Sequence, residues 1–445
     1  MKRYIKNIML MSLMSVVLPL GVNAEDINGE AQSLSLEECR TIAMEHNEKI
    51  KRANNALLQA DLDRKIAFAN YLPKLDGSVN SIYTKDIDMM GAELQIRGMW
   101  MAGLTIQQPI YAGGQITAAN KLAGITRTIR EEELRKSCQS LIADVDNAYY
   151  SLVAVGAKVK MVEALADQLQ SLYDKVSLSV QAGLSTDAEL LRIAAKQSEV
   201  QYQLQKVRNG RTMCQLSLAS TLGLSLDDAN IIPKDTVIAI TAPTALDEDL
   251  SQRPDARLLE ENVEVAKQQS KVARASMLPT VGMQLGMSWH GNMKMKGMAE
   301  NEDGSYSPFS RNIHGNSPMA ILSVQIPIFH WGAESRKYKK ARIEVENATL
   351  KMQQELRGMR VEVRHAIHNL IDGYAMFQTA ERGQQQADEN LRIMRNRYEA
   401  QVATMTDLLE AQAQWQQAHS NLIEAQTQYK IYETEYMRVT GKEGM

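Results

Sequence analysis

The chain is written twice, and that doubling limits its possible folds more than any other feature of its 445 residues. Residues 104–114 read LTIQQPIYAGG and residues 322–332 read LSVQIPIFHWG, which places Pro109 and Pro327 at an offset of 218. The same offset pairs Val145 with Val363, Ala148 with Ala366, Leu152 with Leu370, Thr186 with Thr404, Leu190-Leu191 with Leu408-Leu409 and Gly223 with Gly441. A unit repeated at constant spacing is expected to fold the same way each time. Upstream, Leu72-Pro73 pairs with Leu278-Pro279 at an offset of 206, so the second copy carries 12 extra residues, expected in a loop around residues 291–317.

Each copy predicts the same order of elements. A first helix spans about Ser35 to Tyr71, opened by the capping-box pattern Ser35-Leu36-Glu37-Glu38, and its counterpart runs from about Asp249 to Met277 with Pro254 in its first turn. Two strands follow in each copy, at about 75–83 and 99–108, then at about 280–290 and 318–326. Their alternation sets Val281, Met283, Leu285, Met287 and Trp289 on one face, with Leu104 and Ile106 in the first copy and Leu322 and Val324 in the second. Small or polar residues such as Thr105, Gln107, Gln284, Ser288 and Ser323 occupy the other face.

After the strands comes a long helix. Proline is absent from residues 110–232 and 328–445, so nothing breaks a rod in either stretch. Leu134, Cys138, Leu141, Val145, Ala148, Leu152, Val155, Val159, Val162, Ala166, Leu169, Tyr173, Val176 and Val180 alternate spacings of four and three, which is a heptad seam. A return helix from Asp187 to about Leu222 supplies Leu190, Ile193, Val200, Leu204 and Leu218 to pack on it. Met352, Leu356, Met359, Val363, Ala366, Leu370, Phe377, Ala380, Ala387, Leu391, Met394 and Tyr398 repeat the register, with Gly373 and Gln384 as weak points.

The N-terminus reads as an export signal. Lys2, Arg3 and Lys6 precede an apolar run from Ile8 to Leu20, and Val22-Asn23-Ala24 offers a cleavage site, so residues 1–24 are expected to be removed. Glu25 follows the cut where a lipoprotein needs cysteine, which predicts no lipid anchor. Cys39, Cys138 and Cys214 are an odd count scattered through helical pattern, expected to be buried, inert thiols. A net charge of −3 excludes the basic footprint of a nucleic-acid binder. No later run reaches the ~18 apolar residues of a spanning helix. Short alternating strands between lipid and water remain open, as does an ordinary half-buried hairpin. Export, with Tyr83, Trp100 and Trp289 at one end of the strands like an aromatic girdle, favours the barrel. Four strands cannot enclose even a packed interior, for which ~8 are needed. Open edges in lipid cost several kcal/mol per backbone group, so the barrel reading demands an oligomer.

The tandem repeat, the opening LSLEECRTIAMEHNEKI, the paired Gln-x-Pro-Ile-(Tyr/Phe)-x-x-Gly segments and the turn AGLSTDAELL together resemble the TolC family of outer-membrane efflux proteins, over essentially the whole mature chain. The resemblance implies an α+β membrane protein: a homotrimer whose twelve-stranded barrel in outer-membrane lipid continues into a periplasmic coiled-coil tunnel. It implies an exit duct for a periplasmic adaptor and an inner-membrane pump, of the resistance-nodulation-division or ABC type, passing small molecules or proteins. On it, residues 25–222 and 249–445 are the two copies, and 223–248 links them in a belt around the tunnel. The turns Ala182, Gly183, Leu184, Ser185, Thr186 and Ala400, Gln401, Val402, Ala403, Thr404 become the adaptor-contacting tip, with Tyr398, Asp407 and Glu410 at a gate. Gln401 departs from the family's usual glycine, and Ala403 from an arginine that helps lock the gate in the best-known member.

Each site has a plainer reading. Thr186-Asp187-Ala188-Glu189 is a capping box and Thr404-Met405-Thr406-Asp407 approximates one, so Glu189 and Asp407 can serve as helix caps. His365 and His368 lack another plausible metal ligand. Met293, Met295 and Met298 beside His290 have the chemistry of a Cu(I) site, but loop composition in a chain with 25 methionines accounts for them better. No catalytic constellation is present and no cofactor is expected. The competing class, a structural or adhesive coiled-coil surface protein, needs one helix per stalk, whereas here each long helix returns.

Overall fold

A computed structural model describes residues 32–84, 87–89, 92–95, 98–226, 230–235, 238–244, 246–302 and 304–442. The export signal and Glu25 lie outside them.

The duplication is exact in the long helices and their returns. The long helix α3 (Gln115–Gln181) and its return α4 (Asp187–Leu222) have 67 and 36 residues, and α6 (Ala333–Glu399) and α7 (Met405–Thr440) have the same 67 and 36. At ~1.5 Å per residue each long helix is about 100 Å long. Along the predicted seam Leu141, Val145, Leu152, Val159, Val162, Leu169 and Val176 are buried on α3, and Val363, Ala366, Leu370 and Leu391 on α6. Tyr432 and Tyr429 of α7 fill the gap at Gly373, where an added Cβ would stand 2.8 Å from the Tyr432 ring.

The first helix departs from expectation. It is two helices, α1 (Leu36–His46) and α2 (Glu48–Ala69), broken at Asn47. The Asn47 side chain accepts from the Lys49 amide at 2.8 Å and donates to the Thr221 carbonyl at 2.8 Å, so a tertiary partner stabilises the bend. The Ser35–Glu38 capping box forms as predicted, and in the second copy α5 (Pro254–Ala275) begins on Pro254. Each return helix ends on a left-handed glycine seated against these elements. An added Cβ would come within 2.9 Å of the His46 carbonyl at Gly223 (φ 75°), and within 2.7 Å of the Arg253 Cα at Gly441 (φ 71°), so only glycine serves at either place.

Between the copies, strand β1 (Gln32–Leu34) pairs in parallel with β6 (Ile231–Pro233). Ile231 and Ile238 enter the first copy's core, while Ile240, Leu246 and Leu250 reach the second copy's core. Tyr149 of α3 donates to Asp235 at 2.7 Å and Tyr429 of α7 to the Thr241 carbonyl at 2.6 Å. The linker is thus held from both sides.

The sheet runs in the order β2 (Lys74–Ile82), β5 (Met99–Ala112), β7 (Thr280–Glu300), β8 (Tyr306–Gln325), each neighbour antiparallel. The expected loop at 291–317 is a correction: β7 and β8 pair through most of it, up to Glu300 opposite Tyr306. The 12 extra residues of the second copy extend a hairpin. A small hairpin of the first copy, β3 (Ile87–Met89) and β4 (Ala92–Gln95), adds β4 to β7 at Lys294–Gly297. Among the four main strands β2 and β8 pair on one side only, and the short β3 likewise has only β4 as a described partner.

Candidate functional site

The far end of the rod is two matched turns. The first closes with Gly183 left-handed (φ 71°) and the Leu184 amide donating back to the Ser179 carbonyl at 2.8 Å. In the second, Gln401 takes the glycine's place at φ 59° and the Val402 amide donates to the Arg397 carbonyl at 2.8 Å. A side chain in this conformation costs about 1–2 kcal/mol, so Gln401 keeps the turn's geometry at the expense of strain. Ala182 and Ala400 cap the outgoing helices, and Thr186 and Thr404 open the returns. Leu184 and Val402, equivalent under the repeat, are 76% and 74% exposed at the two apices. Ser185 and Ala403 stand beside them.

The proposed gate residues separate. Asp407 and Thr404 form a complete capping box, and the hydrogen bonds from Thr404 hold the Asp407 carboxyl below the usual aspartate range. The first turn differs from expectation: the Thr186 hydroxyl makes no cap bond, and Glu189 instead accepts from the Ser185 hydroxyl. Serine at 185 intercepts the carboxylate that alanine at 403 leaves free to cap. Tyr398 packs among Leu172, Met405, Leu408 and Leu409, and burial, with Glu189 nearby, raises its phenol above the ordinary tyrosine range. Glu410 is exposed, one turn past Asp407.

Sequence reasoning missed the ties between the two hairpins. Arg192 Nη1 donates to Thr406 Oγ1 at 2.9 Å, Arg395 Nη2 to Gln168 Oε1 at 3.2 Å, Gln416 Nε2 to Gln203 Oε1 at 2.7 Å, and Lys175 lies 3.6 Å from Glu399. Arg192 is the repeat equivalent of Glu410, so the 218 offset carried the signal.

At the other end the register confirms that the apolar strand residues share a face. Leu285 stands opposite Ile106 and Ala320, Met287 opposite Leu104 and Pro318, Met283 opposite Leu322, Val281 opposite Val324, and Trp289 opposite Ala102 and Asn316. Leu285, Leu322 and Val324 are 39%, 66% and 57% exposed. On the other face Gln284 meets Gln107, Gly286 meets Thr105, and Ser288 meets Gly103 and Ser317. Ile321 and Met319 interrupt that polar face on β8.

The three cysteines are free, and burial pushes the Cys39 thiol up to about 12. The amide of Asn369 lies 3.3 Å from His365 Nδ1.

A doubled helical hairpin about 100 Å long, carrying a sheet with one apolar face and two open edges, defines the class: an outer-membrane channel protein with a large periplasmic portion. The chain belongs to the outer membrane efflux protein family, whose sequence profile matches residues 41–224 and 245–442. It is 21% identical over 431 residues to the protease secretion protein PrtF of Dickeya chrysanthemi, covering 93% of this chain and 88% of that one. In fold it is similar to the CmeC outer membrane channel of Campylobacter jejuni, with TM-score 0.77 at 18% identity over 92% of this chain and 85% of that one. The outer membrane protein VceC of Vibrio cholerae gives TM-score 0.75 at 18% identity, over 91% and 96%.

Proposed function

We propose that three chains close a twelve-stranded barrel and a continuous helical tunnel, forming the passive exit duct of a tripartite efflux pump or a type I secretion system. The observation that carries this reading is the pair of open edges, β2 and β8, on a sheet whose Leu104, Ile106, Val281, Met283, Leu285, Met287, Trp289, Leu322 and Val324 form one apolar face. β8 of one protomer runs antiparallel to β2 of the next, so a ring of the main strands closes with both of their edges paired. That face then meets lipid and the polar face meets water. On the helices Leu58, Leu62 and Ile66 of α2 form an exposed ridge at one-turn spacing, which a neighbouring protomer covers.

The tip is the docking end for a periplasmic adaptor, and through it for an inner-membrane pump. Leu184 and Val402 offer two apolar apices per chain, six in the trimer. Photocrosslinkers at Leu184 and Ser185 are expected to capture the adaptor in intact cells; capture of none would leave the tip a simple turn. On this reading the closed tip prefers cations, and Glu410 is the carboxylate that sets the preference, because the charge of Asp407 is offset by the helix N-terminus it caps. Three copies of Glu410 near the axis favour cations. In planar bilayers Glu410→Gln is expected to lower cation preference about twofold while Asp407→Asn leaves it near the parent, and unchanged selectivity in Glu410→Gln would remove the carboxylate from the gate.

A further inference from the structure

The methionines beside His290 divide once the strands are paired, and the division selects a different set from the one their sequence order suggests. Between His290, opposite Gly315, and Met293, opposite Ile313, β7 spends three residues where β8 spends two. This is a β-bulge at Gly291-Asn292. Asn292 takes a left-handed φ of 58°, and its amide donates to the Gly98 carbonyl at 2.8 Å, which fixes the bulge against the first copy. The extra residue inverts the alternation. Without it Met293 would lie on the face opposite His290; with it Met293 and Met295 join His290, while Met298 falls on the other face and is 60% exposed.

The strand on the other side completes the set. Met101 of β5 stands directly opposite His290 and is 38% exposed, so its thioether is not consumed by a core. Directly opposed Cβ atoms on one face lie ~4.5–5.5 Å apart, within reach of a shared ligand for side chains this long. On β8 the partner of His290 is Gly315, and the imidazole lies 3.6 Å from where a Cβ would project, so the ring rests over the glycine in ordinary contact. One imidazole and three thioethers thus share a face and neighbouring register positions, with Ile313 opposite Met293 and Arg311 opposite Met295. Thioether and imidazole donors with no carboxylate among them select soft monovalent ions over hard cations.

We propose that His290, Met101 and Met293, flanked by Met295, form a binding site for a soft monovalent cation, Cu(I) or Ag(I), on the sheet face opposite the apolar one. Met298, which the sequence groups with them, is not a ligand. The bulge gives the site its donors.

The proposal stands apart from the export reading, because the test uses the purified full-length protein and needs no pump. Protein labelled at the methionine ε-methyl groups is titrated with silver nitrate in chloride-free buffer and followed by methyl NMR, which reads each thioether separately from the three thiols. The Met101 and Met293 resonances, assigned from their leucine variants, are expected to shift together and saturate at a silver concentration at which Met298 has not moved. Losing even an outer-shell partner costs a metal site ~10–100-fold in affinity. Met101→Leu, a volume-conserving change, is therefore expected to raise the midpoint of the Met293 response at least tenfold, and His290→Gln to do the same. Silver shifting Met298 in step with Met101, no saturable shift at either ligand, or an unchanged Met293 midpoint in both variants would overturn the site.

Discussion

Replacing Asp146 by alanine is expected to lower the stability of the solubilised protein by about 3 kcal/mol, because it leaves the largely buried Arg40 guanidinium with only the exposed carboxylate of Glu37, which accepts from its Nη1 at 2.6 Å. Asp146 is 3% exposed on α3. It accepts from Arg40 Nε at 2.8 Å and Arg40 Nη2 at 2.7 Å, a bidentate fork, and from the Thr434 hydroxyl at 3.2 Å. One carboxylate so joins α1 and α3 of the first copy to α7 of the second. The pair's net worth over an apolar replacement is small, since both charges were desolvated to make it. The double variant Arg40→Met with Asp146→Leu is therefore expected to recover most of the loss. Chemical denaturation of the parent, Asp146→Ala and the double variant measures this, and a double variant as unstable as Asp146→Ala would show that shape, not charge pairing, decides the site.

Leu285→Arg is expected to abolish most assembly, and Gln284→Arg to leave it nearly intact. The two residues are adjacent on β7, and the register puts them on opposite faces: Leu285 between Ile106 and Ala320, Gln284 between Gln107 and Ile321. An arginine at mid-bilayer on the lipid face costs about 2–4 kcal/mol, and in the proposed trimer three copies incur it at once. On a wet interior face the same charge stays solvated. Yield of assembled protein in outer-membrane fractions separates the two, and equal tolerance would mean the faces are reversed.

Much of this architecture is legible in the chain because its signals are periodic and stated twice. The heptads from Leu134 to Val180 lie on the observed seam, and the 218 offset recurs as helices of identical length. What escaped depends on contacts far away in sequence. Asn47 bends the first helix with neither proline nor glycine nearby, because its amide finds the Thr221 carbonyl across the fold. The 12 residues by which the second copy is longer point to a loop at 291–317, yet Met293, Lys294, Met295 and Lys296 alternate as strand residues do, and Asn301 and Gly304 (φ 79°) mark the turn. The bulge at Gly291-Asn292 hid the true phase of that alternation. At the tip, a capping box is read from two positions, but Ser185, one residue upstream, decides whether Glu189 caps.

The mass of the purified particle in mild detergent tests the central claim most directly. One chain carries four main strands with β2 and β8 each paired on one side, and only a closed ring satisfies both edges in lipid. Light scattering with the detergent contribution subtracted is expected to give three chains per particle, whereas a stable monomer or dimer would contradict the account.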